Sequence, residues 1–227
     1  MRTLNVIRLQ LINKQTFIWV PLIILGGAVL ISVLIYAMIP VDSPKYGGGG
    51  QAPLWYFFAI GMSAMTLTFP FSQAMSVTRR EFFLGTMLTA ILGSAFMGVL
   101  FLIGGGIEVA TNGYGVNGWV FYLPWLWESG PFGAFVIYFT LALFFFVVGF
   151  TGATIYKSWG PTVLTIASLA LTLVLLGLVF LATRLQLWDE VFAGIMDLGA
   201  LGLALWGLVA VVVLSAVSFL AFRRATP

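Results

Sequence analysis

The chain contains no cysteine and no histidine, and only 7% of its 227 residues are charged. Without cysteine there is no disulfide framework and no thiolate site. Without histidine as well, the common zinc, haem and triad chemistries lose their usual ligands and bases, which argues against His-dependent intramembrane hydrolases and lipid phosphatases. No lysine follows a glycine, so the phosphate-cradling G-x-x-x-x-G-K pattern cannot be written and ATP hydrolysis is not expected in this chain. The one lexical nucleotide motif, Gly113-x-Gly115-x-x-Gly118, has no strand before it and reads as a turn, since Gly and Asn tolerate positive φ. The pI of 9.4 comes without a basic patch on a soluble face, so it does not describe a nucleic-acid surface.

What is present is apolar: 61% of residues are hydrophobic and the mean hydropathy is +1.10. Too little polar residue remains to coat a soluble domain of this size. Six stretches reach the roughly 20 apolar residues a spanning helix needs: 17–39, 54–75, 82–107, 132–155, 162–183 and 198–222. None alternates in polarity as barrel strands do. The expected fold is an all-α integral membrane protein, one permease-like domain over 1–227, with an N-terminal segment 1–16, a six-helix bundle 17–222 and a tail 223–227. The first stretch is too long, and lacks the small-residue cleavage site, for a removed signal peptide.

Charge gives the orientation. Arg2, Arg8, Lys14, Arg79, Arg80, Lys157, Arg223 and Arg224 fall on one side of a six-span reading; Lys45 and Arg184 fall on the other, with Asp42, Glu108, Glu128, Asp189, Glu190 and Asp197. The positive-inside rule then places both termini in the cytosol, as expected of a multi-pass protein of a bacterial cytoplasmic membrane. No ionisable residue lies near the middle of a span, which weakens a proton- or sodium-coupled reading. Ser63, Thr66, Thr68 and carbonyls freed near Pro70 leave it open.

Four local features are candidates for function. In 1–16, Leu4, Ile7, Leu11 and Ile18 share a helical face, which predicts a helix lying along the inner leaflet; the alternative is a polar extension of the first span. The short turn Ser76-Val77-Thr78-Arg79-Arg80-Glu81 sets two cations and a carboxylate outside the membrane, where they anchor topology and can dock a cytosolic partner. Pro70, just before that turn, removes a backbone bond and predicts a bend or hinge in the second span. In 184–197, Leu185, Trp188, Phe192 and Ile195 recur at helical spacing and predict a short amphipathic helix at the opposite interface, either an extracytosolic gate or a passive loop. Trp119, Tyr122, Trp125 and Trp127 read as an aromatic belt. Small residues such as Gly85, Gly93, Gly98, Gly149, Gly152, Ala153, Gly199 and Gly202 allow close helix contact.

The segment NVIRLQLINKQTFIWVPLIIL, the turn SQAMSVTRREFFLGT and the six-helix pattern with both ends inside resemble the permease subunits of type-2 ABC exporters. The resemblance implies that 1–16 is an elbow helix and that Thr78, Arg79, Arg80 and Glu81, with Arg8 and Lys14 beside them, couple to a cytosolic ABC ATPase. It implies a second permease copy or a paralogue as partner alongside the lipid bilayer, with ATP and Mg bound by the ATPase and no cofactor or catalytic residue in this chain. An apolar or amphipathic cargo, a lipid, drug or peptide, is the expectation. A substrate-capturing importer subunit and a stand-alone carrier without an ATPase remain the alternatives, with a non-transport membrane protein serving assembly or immunity behind them.

Overall fold

The computed structural model describes Val6, Ile7, Gln10 and residues 15–222. The chain is all-α, with one two-residue pair of strands. Five helices are long and apolar enough to cross a bilayer, as a multi-pass membrane protein requires: α1 (Gln15–Met38), α2 (Gly48–Ala74), α3 (Arg79–Ala110), α5 (Gly130–Arg184) and α6 (Trp188–Phe222). A single-turn helix, α4, covers Pro124–Trp127. Strands β1 (Lys45–Tyr46) and β2 (Gly118–Trp119) pair in parallel between the loops that follow α1 and α3.

Where six spans were expected, five helices are found, and the difference lies in α5. It holds 55 residues, about 80 Å at 1.5 Å per residue, far more than the roughly 30 Å of a hydrocarbon core. Its path is broken at Gly160, whose φ of 83° and ψ of 177° are not helical, immediately before Pro161. Glycine reaches this conformation without the Cβ clash that excludes other residues, and proline ends the ladder on its far side.

The piece 130–159 is the centre of the bundle. Ala134, Tyr138, Ala142, Phe146, Phe150 and Thr154, each four residues from the last, are all buried. A row spaced by four lies along one helix face. This piece packs on α2, α3 and α6. Contact with α2 is close: Gly61 lies against the backbone of Phe146 and Phe150, and Gly149 against that of Phe58, so each glycine admits the other chain where a Cβ would not fit. Two hydroxyl contacts tie the same piece to α6, from Ser218 Oγ to Thr151 Oγ1 at 2.7 Å and from Ser158 Oγ to the Ala221 carbonyl at 3.1 Å. The piece 161–184 behaves differently. It is apolar on every side and exposed along nearly its whole length, the pattern of a helix surrounded by hydrocarbon or by another chain.

Two prolines sit in the helices by the same device. Pro21 follows a π-turn over Gln15–Trp19, and Pro70 follows one over Ala64–Thr68. Proline lacks an N–H and crowds the carbonyl four residues back; one widened turn relieves the crowding. The bend expected at Pro70 is therefore a π-bulge, closed by Phe69 N–H donating to the Ala64 carbonyl.

Candidate functional site

The turn between α2 and α3 is built by its own side chains. Ser76 takes a positive φ of 57°, and Gln73 Nε2 donates to the Val77 carbonyl at 3.0 Å. Thr78 then caps α3 in a reciprocal box. The Glu81 N–H donates to Thr78 Oγ1 at 3.3 Å, while the Thr78 N–H and hydroxyl donate to Glu81 Oε2 at 3.1 and 2.7 Å. Of the four residues predicted to couple, Thr78 and Glu81 thus serve the cap. Arg79 is half-buried, and its Nη1 donates to the Phe222 carbonyl at 3.4 Å, placing a cation at the negative end of α6. Arg80 is exposed on the outer face of the turn. Arg8 and Lys14 lie outside the described residues.

Directly behind this turn sits a knot of phenylalanines. Phe69, the residue before Pro70, stands 5.3 Å from Phe82 and 4.8 Å from Phe222, ring centre to ring centre. Phe83 packs 5.1 Å from Phe219 and 6.0 Å from Phe150. The rings join the turn, the π-bulge of α2, the centre of α5 and the end of α6 in one close-packed unit, and tightly packed rings move together. The N-terminal segment docks two turns further along α3: Gln10 Nε2 donates to Thr86 Oγ1 at 2.8 Å, with both groups buried. Val6 and Ile7 are buried as well. Val6, Ile7 and Gln10 therefore face protein, whereas the expected apolar stripe ran through Leu4, Ile7 and Leu11; Leu4 and Leu11 lie outside the described residues.

The opposite end of α3 holds a group whose role sequence reasoning missed. Glu108 was placed at a span end and given no task; it is fully buried. Its carboxylate accepts from three successive backbone N–H groups, from Val120 at 2.9 Å, from Phe121 at 3.1 and 2.9 Å, and from Tyr122 at 2.7 Å. Charge-assisted bonds to a backbone nest are among the strong ones and offset the burial of the ion. The Phe121 carbonyl, facing the other way, accepts from Tyr138 Oη at 2.5 Å and Trp127 Nε1 at 2.9 Å. The segment 118–122 is thereby folded over the end of the bundle as a cap.

The cap extends across the α1–α2 loop. Lys45 Nζ donates to the carbonyls of Tyr36 and Val116, both at 3.1 Å, and Asn117 Nδ2 to that of Asp42 at 3.0 Å. Asn112, Gly113, Tyr114, Gly115 and Asn117 all have positive φ, the turn chemistry the sequence indicated. Burial, then the Glu108 charge and a hydrogen bond to it, push the Tyr114 hydroxyl up to about 12. The tryptophans and tyrosines expected as a belt take part in this cap: Trp119 and Trp127 flank Tyr122 at 5.4 and 5.1 Å. The signal that marks this place is the run Gly104-Gly105 before Glu108, since Phe121 and Trp127 lie where Cβ atoms would stand.

The predicted gate residues sit on the same side. Helix α5 ends in a Schellman motif with Gln186 at a φ of 53°, the Leu187 N–H donating to the Ala182 carbonyl and the Gln186 N–H to that of Thr183. Trp188 stacks 5.8 Å from Phe192 and donates from Nε1 to Thr183 Oγ1 at 3.1 Å. Leu185 and Phe192 are exposed and Ile195 is half-buried. The helical stretch 188–198 is set off from the rest of α6 by Gly199, at a φ of 62° and ψ of 176°. Among the described residues, no three His, Cys, Asp or Glu side chains gather as a metal site. No protein-family model matches the chain, and neither a curated protein nor a solved structure matches it.

Proposed function

We propose that the chain is the membrane-spanning permease half of an ATP-driven type-2 ABC exporter, moving an apolar or amphipathic cargo and powered by a separate cytosolic ATPase. The observation that carries this reading is the turn at 75–81: a rigidly capped helix start with Arg80 outward, resting on the phenylalanine knot that joins α2, α3, α5 and α6. A force on such a turn is delivered to four helices at once. The docked segment around Val6, Ile7 and Gln10 stands as the elbow beside it.

Six crossings follow if the break at Gly160 is a connection between two spans. The pieces 130–159 and 161–184 are about 45 and 36 Å long, each sufficient to cross. Lys157 then joins Arg79 and Arg80 on the cytosolic side, with both termini, while the Glu108 cap and the residues Leu185, Trp188, Phe192 and Ile195 face outward as closure and candidate gate. The exposed, wholly apolar piece 161–184 leaves room for a second permease copy or paralogue. ATP and Mg belong to the ATPase, whose closure drives the turn; Pro70 and its π-bulge are the hinge that passes the motion along α2.

Affinity purification from the native membrane in mild detergent tests this reading. An ABC ATPase should accompany the intact chain and be lost with Arg80→Glu, whose exposed side chain carries none of the cap. A folded protein that brings no ATPase in either form would leave a stand-alone membrane protein.

A further inference from the structure

A cavity of about 310 Å³ opens between the 130–159 piece of α5, the start of α6 beyond Gly199, and α4. Its walls include Trp125, Ile137, Phe144, Leu203 and Ala204, and no ionisable side chain. One polar residue, Thr140, stands in the wall. It is 3% exposed, and its Oγ1 has no hydrogen-bond partner among the described residues. This sets it apart from Thr89, Thr151, Thr154, Thr165, Thr172 and Thr183, each of which returns its hydroxyl to the carbonyl four residues back. A buried hydroxyl left unpaired is costly, so its retention at a cavity wall calls for a partner.

We propose that this cavity binds an uncharged, mainly apolar molecule bearing one hydroxyl or carbonyl, which Thr140 meets with a hydrogen bond. The volume is about twice that of an apolar cavity that takes up benzene and lies at the lower end of ligand pockets, which combine apolar walls with a few placed polar groups. A charged group is disfavoured because nothing in the walls compensates it. Small residues at Ala200, Ala204 and Gly207 make the space; the methyl of Thr140 lies against Gly207, 3.0 Å from where its Cβ would be. That this ligand is the exported cargo rests on the permease reading; the binding itself does not.

The probe is a long-chain alcohol carrying a diazirine in its chain, with the corresponding alkane as control, applied to the intact protein in lipid nanodiscs. Photoadducts mapped by peptide mass spectrometry are expected on 137–144 and 200–207, and excess unlabelled long-chain alcohol should compete them away. Ala204→Phe should abolish them. Thr140→Val keeps the shape and should weaken the alcohol about five- to tenfold while leaving the alkane unchanged; monodispersity on gel filtration certifies the fold of both variants. Adducts spread along 161–184 without competition, or equal affinity of the alcohol for Thr140→Val and the parent, would overturn the proposal. Because no ATPase is involved, a failed exporter reading and a failed binding site give separate results.

Discussion

Glu108 carries the most structure for a single side chain. A glutamine there has one oxygen that accepts and an amide nitrogen that cannot, so at least one of the N–H groups of Val120 and Tyr122 is left buried without an acceptor. Glu108→Gln is expected to cost about 2–3 kcal/mol and to lower the thermal midpoint in detergent, whereas Glu128→Gln, in a loop, should leave it unchanged. Tyr114 gives a pH test of the same cap. Its folded pKa of about 12 lies above the ordinary 10, so the neutral form is favoured in the fold. Its contribution is complete below pH 10 and lost as pH rises toward 12. Alkaline titration of the tyrosinate absorbance should show one late-titrating group that moves down in the Glu108→Gln variant. At this scale the sequence was partly legible. Arg79 and Arg80 read as an identical pair, yet one bonds to the end of α6 and the other faces outward; only the three-dimensional position of Phe222 separates them. Glu108 was unreadable for the same reason, since its partners are backbone groups that no residue type announces.

Among the elements, the apolar runs were read to within a few residues, because hydrocarbon demands long uninterrupted helices and leaves few places for loops. Proline predicted a bend at the correct place in α2, but not its form; a π-bulge depends on how the neighbouring turn relaxes. The stretch 161–184 was legible as apolar and illegible as exposed, since lipid-facing and core residues share a vocabulary. Two predictions belong here. Gly149→Leu forces a side chain into the Phe58 backbone and should destabilise by about 2–3 kcal/mol, seen as a lowered thermal midpoint, while Gly152→Leu, in open space, should be near neutral. Pro70→Ala restores a donor and lets the π-turn close; it should stabilise α2 by about 1 kcal/mol in thermal unfolding while reducing ATP-driven transport with the ATPase still bound. Loss of ATPase binding instead would make Pro70 part of the docking surface and remove its role as hinge.

For the whole molecule, a capped turn and phenylalanine knot at one end of α3 and a carboxylate-held cap at the other form two rigid termini on a bundle about 48 Å long. A device that transmits a push needs such ends, and the bundle between them has its proline π-bulge beside the knot. Because the chain has no native cysteine, single cysteines report directly on its geometry. The most direct measurement places one at position 80, attaches a thiol-linked benzophenone in native membranes, and identifies what light crosslinks to it. The account predicts an adduct with a cytosolic ABC ATPase from position 80 and none from a control cysteine at position 42. The same products from both positions, or no ATPase from either in a folded protein, would contradict it.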